Sequence, residues 1–260
     1  MKKVLLILVA CMLLGSAAHA DVIQIRAGGG EGFVDAAFDD TYFYVGDLAA
    51  VNSGSALMDV RIPSQGAGNS NVRLSILAVK DLFTLLPAVN GNGDELVITG
   101  ATLTLTRATR GGTSHQISVN RMLVDWLPNA AGQNESNVNG NLMDIANNTA
   151  WPTTWKSCMT SYGSDRNFTT VNQAVSSGVA VNGEAVDFDI TDLINDMYAL
   201  DENYGVAITI HDWQGVDWWS NFRSSEYSYT DLETGETRID HRPVLSIEYA
   251  YVPEPRSEER

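Results

Sequence analysis

The stretch Thr102-Leu103-Thr104-Leu105-Thr106 alternates apolar and polar side chains with a period of two. Successive side chains of a strand point to opposite faces, so Leu103 and Leu105 seek a core while the three threonines face the other way. The same kind of pattern recurs along the chain. Residues 22–26, 42–45, 72–79, 101–106, 115–123, 185–190, 204–211, 218–224 and 244–251 all read as strands, separated by turn-forming clusters such as Asn90-Gly91-Asn92-Gly93-Asp94. Two segments look helical instead. Residues 191–198 offer Thr191 as an N-cap candidate and apolar residues at helical spacing, and residues 81–86 could form one or two turns before Pro87. Residues 128–150, rich in Asn and Gly, read as a long irregular connection. Many short strands with one or two short helices and no solenoid repeat predict an all-β fold, a jelly-roll-like β-sandwich.

The first twenty residues belong to a different problem. Lys2 and Lys3 precede an apolar run from Val4 to Leu14, and Ala18-His19-Ala20 supplies a small-x-small site before Asp21. This is the pattern of a secretory signal peptide. It places the mature protein outside the cytoplasm, secreted or on the cell surface. The alternative, a lipoprotein box ending at Cys11, is at odds with the apolar residues that continue past it. The run is shorter than the roughly 20 residues that cross a bilayer, and no later segment approaches that length, so no membrane span is expected. Residues 21–252 are then expected to form a single domain, with 253–260 as a tail.

Loss of Lys2 and Lys3 leaves 14 basic residues against 32 acidic ones, so the net charge falls from −16 to about −18. Lys80 and Lys156 are the only lysines left. A chain of this kind has no basic face to track phosphates, which argues against nucleic acid and against anionic membrane surfaces as partners. Cys158 is the only thiol of the mature chain, so stability must come from a packed core and not from an internal disulfide framework. Carboxylates in an extracellular setting make a structural Ca²⁺ site conceivable, with Asp35, Asp39, Asp40 and Asp47 as the ligands to test. The scattered histidines show no transition-metal spacing.

A set of landmarks also stands in a familiar order. Asn71-Val72-Arg73-Leu74 is followed by residues 98–105, Val124-Asp125-Trp126, Thr154-Trp155 and residues 186–193. Asn203-Tyr204-Gly205-Val206-Ala207-Ile208, Phe222-Arg223-Ser224-Ser225-Glu226-Tyr227 and residues 242–249 complete it. From about Val34 to Tyr249 the chain resembles the DNRLRE (disaggregatase-related) family of secreted proteins. That resemblance implies a non-catalytic jelly-roll sandwich related to carbohydrate-binding modules, some of whose relatives bind acidic polysaccharides such as alginate. Near the C-terminus, Val252-Pro253-Glu254-Pro255 is similar to the start of a PEP-CTERM sorting signal, but residues 256–260 replace the expected apolar span with charged residues.

Glycan recognition needs flat aromatic faces beside amides or carboxylates that hydrogen-bond hydroxyls. Residues 211–221 hold both, and the candidate ligand-binding residues are Trp213, Gln214, Asp217, Trp218, Trp219, Asn221 and Arg223. Trp213, beside the turn at Gly215, is the candidate platform. Trp219, Asn221 and Arg223 share one face of their strand, Trp218 and Phe222 the other, and one of these faces should be core. Trp126 and Trp155 read as core, while Trp151 could pack or be exposed. No nucleophile elbow, zinc-protease helix or phosphate loop is present, so no enzymatic activity is expected. The expected partner is therefore an extracellular polysaccharide, neutral or weakly acidic given the charge of the chain. The alternative is a structural or adhesive surface protein that self-associates.

Overall fold

The computed structural model describes residues 20–44, 48–62, 72–111, 116–126, 138–145, 147–153, 155, 167–176, 181–211 and 218–253. Its architecture is a β-sandwich, with two helices among the described residues. The first sheet runs β2 (Val34–Asp35), β1 (Asp21–Arg26), β16 (Val244–Val252), the first part of β6 (Glu95–Gly111) and β11 (Ala185–Asp189). Its pairs are antiparallel except β1 with β2. The alternation around Leu103 sits at its centre: Thr104 lies opposite Asp187 on one side and Val244 on the other.

The second sheet runs β10 (Ala174–Val175), β7 (Ile117–Arg121), β12 (Val206–Ile210), β5 (Arg73–Val79), β4 (Leu57–Ile62) and β13 (Trp218–Arg223), with β3 (Phe38–Tyr44) also paired to β5. β6 joins the two sheets. Its residues up to Thr106 pair with β16 and β11, whereas Arg107 to Gly111 pair with β13. The remaining strands are two short hairpins, β8 (Leu142–Asp144) with β9 (Thr149–Ala150) and β14 (Tyr229–Thr230) with β15 (Thr237–Arg238).

Two apolar clusters hold these layers. The larger lies between the sheets and joins Ile25, Leu103, Leu105, Phe188, Leu245 and Ile247 to Met58, Val60, Leu77, Val119, Ile208 and Phe222. The second covers the opposite face of the second sheet, where Leu74, Ile76 and Ala78 of β5 meet Trp126, Val138, Trp151, Trp155 and Phe168. A strand covered on both faces needs no polar side, which is why β5 is buried from Leu74 to Val79. Part of the connection read as irregular therefore helps to build a second core: Val138 and Trp151 are buried, and β8 and β9 lie between them.

Helix α1 (Leu82–Leu85) and helix α2 (Thr191–Leu200) close one end of the main core, α2 through Leu193, Ile194 and Met197. The N-cap expectation at Thr191 is corrected. Ile190 occupies the N-cap position, and the Thr191 hydroxyl is engaged elsewhere, donating to Asp189 and accepting from the Ala101 N–H. Gly205 enters β12 at φ +76°, and a Cβ there would lie 2.3 Å from the Leu77 carbonyl oxygen. Only glycine meets both demands at that close crossing.

Candidate functional site

The expected site divides at the start of β13. Trp213, Gln214 and Asp217 lie outside the described residues, as does the side chain of Trp218. Trp219, Asn221 and Arg223 are half-buried and alternate with the fully buried Ser220 and Phe222. Phe222 belongs to the main core, so the other three stand on the outward face of the strand. Directly opposite across β4 lie Arg61 for Trp219, Asp59 for Asn221 and Leu57 for Arg223. On the β6 side Trp219 faces Gly111 and Asn221 faces Thr109. Opposed residues share a face.

The remaining tryptophans contrast with Trp219. Trp126, Trp151 and Trp155 are 0%, 5% and 0% exposed and pack together in the second core. The Trp126 Nε1–H donates to the Tyr204 carbonyl at 2.8 Å, and the Trp151 Nε1–H to the Asn139 carbonyl at 2.7 Å. Trp219 packs against neither core among the described residues. An indole with no core to fill, set among polar neighbours, is what a stacking surface requires.

Charge on this strip departs from the strongly acidic average of the chain. Asp59 is buried and takes an ion pair from Arg73, whose guanidinium also lies 4.9 Å from the Tyr44 ring. Arg61 and Arg223 add two further cations, and Arg223 rests 3.9 Å over the ring of Tyr227.

That contact leads to a group the sequence reading missed. Tyr227, Tyr229 and His241 form a cluster with centroid separations of 6.1, 5.3 and 6.2 Å. The Tyr229 hydroxyl donates to Asp240 at 3.4 Å, and burial together with that carboxylate pushes its pKa up. Asp231 is held below the usual carboxylate range by the backbone N–H groups of Glu233 and Thr234. Arg238 bridges Asp231 and Asp240. Beside the cluster an open cleft of about 560 Å³ is lined by Asp35, Asp81, Ser225, Glu226 and Arg242 together with Ala27, Gly28 and residues 36–38. Spacing alone hinted at this group: Tyr227 and Tyr229 are two apart at the start of a hairpin, although His241 joins them only through the turn.

The acidic residues considered for calcium are drawn to separate partners. Asp35 accepts the Gly28 N–H at 2.8 Å, Asp39 pairs with Lys80 at 2.7 Å, and Asp40 accepts the Ser225 N–H at 2.8 Å. Asp47 lies outside the described residues. Among the described residues no three His, Cys, Asp or Glu side chains come together as a metal site, and no helix is long and apolar enough to cross a membrane.

No protein-family model matches the chain, and no curated protein matches it. The landmarks behind the DNRLRE resemblance carry structural work here. Trp126 ties to Tyr204, the Asn203 amide donates to the Val79 carbonyl, and Arg242 donates to the carbonyls of Tyr227 and Ala27.

Proposed function

We propose that this protein is an exported, non-catalytic carbohydrate-binding β-sandwich that holds an extracellular polysaccharide on the outward face of β13. The observation that carries the reading is Trp219, a half-buried indole that packs on neither core among the described residues and stands in line with Asn221 and Arg223. An indole face covers the apolar face of a sugar ring, while the amide and guanidinium satisfy its hydroxyls. β4 pairs with all three positions and β6 with Trp219 and Asn221, its register shifting after Asn221, so the backbone that carries these side chains is paired before any ligand arrives. Trp213, Gln214 and Asp217 precede this strand in sequence and belong to the same proposal, although they lie outside the described residues.

Affinity electrophoresis of the mature chain through gels containing neutral or acidic polysaccharides tests it. At least one polysaccharide should retard the wild type, and Trp219→Ala should lose that retardation while melting at the same temperature. Retardation by none of them, or equal retardation of both proteins, would sink the reading.

A further inference from the structure

Tyrosines that serve packing in this fold are easy to recognise, because Tyr198, Tyr204, Tyr249 and Tyr251 lean on one of the two cores. Tyr227 and Tyr229 lean on neither among the described residues, yet both are half-buried against each other and His241. Their three centroids form a triangle with sides of 5.3 to 6.2 Å. A column of stacked rings would place its outer members about twice as far apart as neighbours, so a triangle leaves part of the ring surface outside the cluster.

The cluster is fixed in place. Arg223 lies against one ring, Arg242 holds the Tyr227 carbonyl at 2.8 Å, and the Tyr229 hydroxyl is tied to Asp240. Two of its cations are committed, Arg238 to Asp231 and Asp240 and Arg242 to two backbone carbonyls, while Arg223 lies over the Tyr227 ring. Glu226, Asp231 and Asp240 border it, and Asp35 and Asp81 line the adjoining cleft. Carboxylates accept hydrogen bonds from hydroxyls and repel anions.

We infer that Tyr227, Tyr229 and His241 form a second sugar-stacking subsite, one that takes neutral pyranose units of the same chain that lies on β13. The inference rests on the proposed glycan-binding function. Trp219 and Arg223 are four residues apart on one strand, about 13 Å at the usual rise, and Arg223 touches Tyr227. Trp219 thus leads through Arg223 to the Tyr227 ring, a span that a linear polysaccharide can follow and a short oligosaccharide cannot fill.

Isothermal titration of the mature protein with laminari- and cello-oligosaccharides of two to eight units, and with oligoguluronate of matched length, decides the matter. For at least one neutral series affinity should rise with length, and Tyr229→Ala should remove that gain, about tenfold in Kd, while leaving the shortest binding oligomer unchanged. Tyr229→Phe, which keeps the ring and loses only the bond to Asp240, should retain the gain. Trp219→Ala should weaken short and long oligomers alike. If Tyr229→Ala binds long neutral chains as well as the wild type, or if oligoguluronate shows the stronger length dependence, the subsite is wrong while the β13 site stands. If no oligosaccharide of either charge binds, both fall.

Discussion

Replacing Trp126 by Ala should cost this fold more than any change on the β13 strip. The side chain is 0% exposed, sits within the second core and donates its Nε1–H to the Tyr204 carbonyl at 2.8 Å. Truncating a buried aromatic residue to Ala costs about 3 to 5 kcal/mol, against about 5 to 15 kcal/mol for the stability of a whole domain. With a urea slope near the upper end of about 1 to 3 kcal/mol/M, the unfolding midpoint should fall by about 1 to 2 M. Trp126→Phe keeps most of the volume and removes the N–H, leaving the Tyr204 carbonyl without that donor. A buried group left unpaired costs about 1 to 3 kcal/mol, so this variant should fall between the wild type and Trp126→Ala. Urea unfolding followed by far-UV circular dichroism reads both. If Trp126→Phe matches Trp126→Ala, the hydrogen bond and not the packed volume carries the effect. A midpoint for Trp126→Ala unchanged from wild type would refute the second core itself.

Two further outcomes follow from charge. The Thr191 hydroxyl donates to Asp189 at 2.6 Å and its backbone N–H at 3.1 Å, and the two hold the carboxyl below its ordinary range. Because the folded value lies below the unfolded one, this stabilisation is present above the unfolded pKa of about 3.9 and fades as pH falls through the folded value; Asp189→Asn should therefore be less stable than wild type in urea at neutral pH, with the gap closing in strong acid. A structural calcium at the Asp35 to Asp47 segment would have to displace Lys80 from Asp39 or recruit Asp47; on that proposal millimolar calcium in place of a chelator raises the thermal midpoint, and an unmoved midpoint removes the ion.

Where a segment has one buried face, its local pattern sufficed to place it. Leu103 and Leu105 lie in the main core and Thr104 meets Asp187 on the outer side, as the alternation requires. The start of β3 was not legible. The sequence pattern marks this strand only from Tyr42, with Asp39 and Asp40 considered as calcium ligands, yet Phe38, Asp39, Asp40 and Thr41 are all buried in it. The partners that permit this, Lys80 for Asp39 and Ser225 for Asp40, lie 41 and 185 residues away and leave no local trace. β4 is the exception: Met58-Asp59-Val60-Arg61 alternates as a one-sided strand does, and Met58 and Val60 reach the main core, yet the segment is not among the expected strands. The division among tryptophans was partly legible: Trp126 and Trp155 are core as expected, Trp151 joins them, and nothing in the spacing around Tyr227 and Tyr229 announced that His241 would close the cluster.

On the proposed reading a strand, and not only a loop, serves as the recognition element, and the placement of β13 suits it to that role. β6 leaves the first sheet after Thr106 and continues as the partner of β13, so one strand of 17 residues spans both sheets and fixes their relation. At the crossover Arg107 is 1% exposed and lies 5.6 Å from the Phe222 ring, on the core side of β13. With β4 on its other edge, β13 is held along its length from Trp218 to Arg223. Side chains fixed in this way lose little conformational freedom on binding, whereas ordering a rotamer-rich side chain costs about 0.5 to 1.5 kcal/mol. The pairing register thus sets the spacing of Trp219, Asn221 and Arg223 before a ligand arrives. On the proposed reading, a polysaccharide that matches that spacing would bind at the lowest ordering cost, which favours an extended glycan along the strand over a compact one.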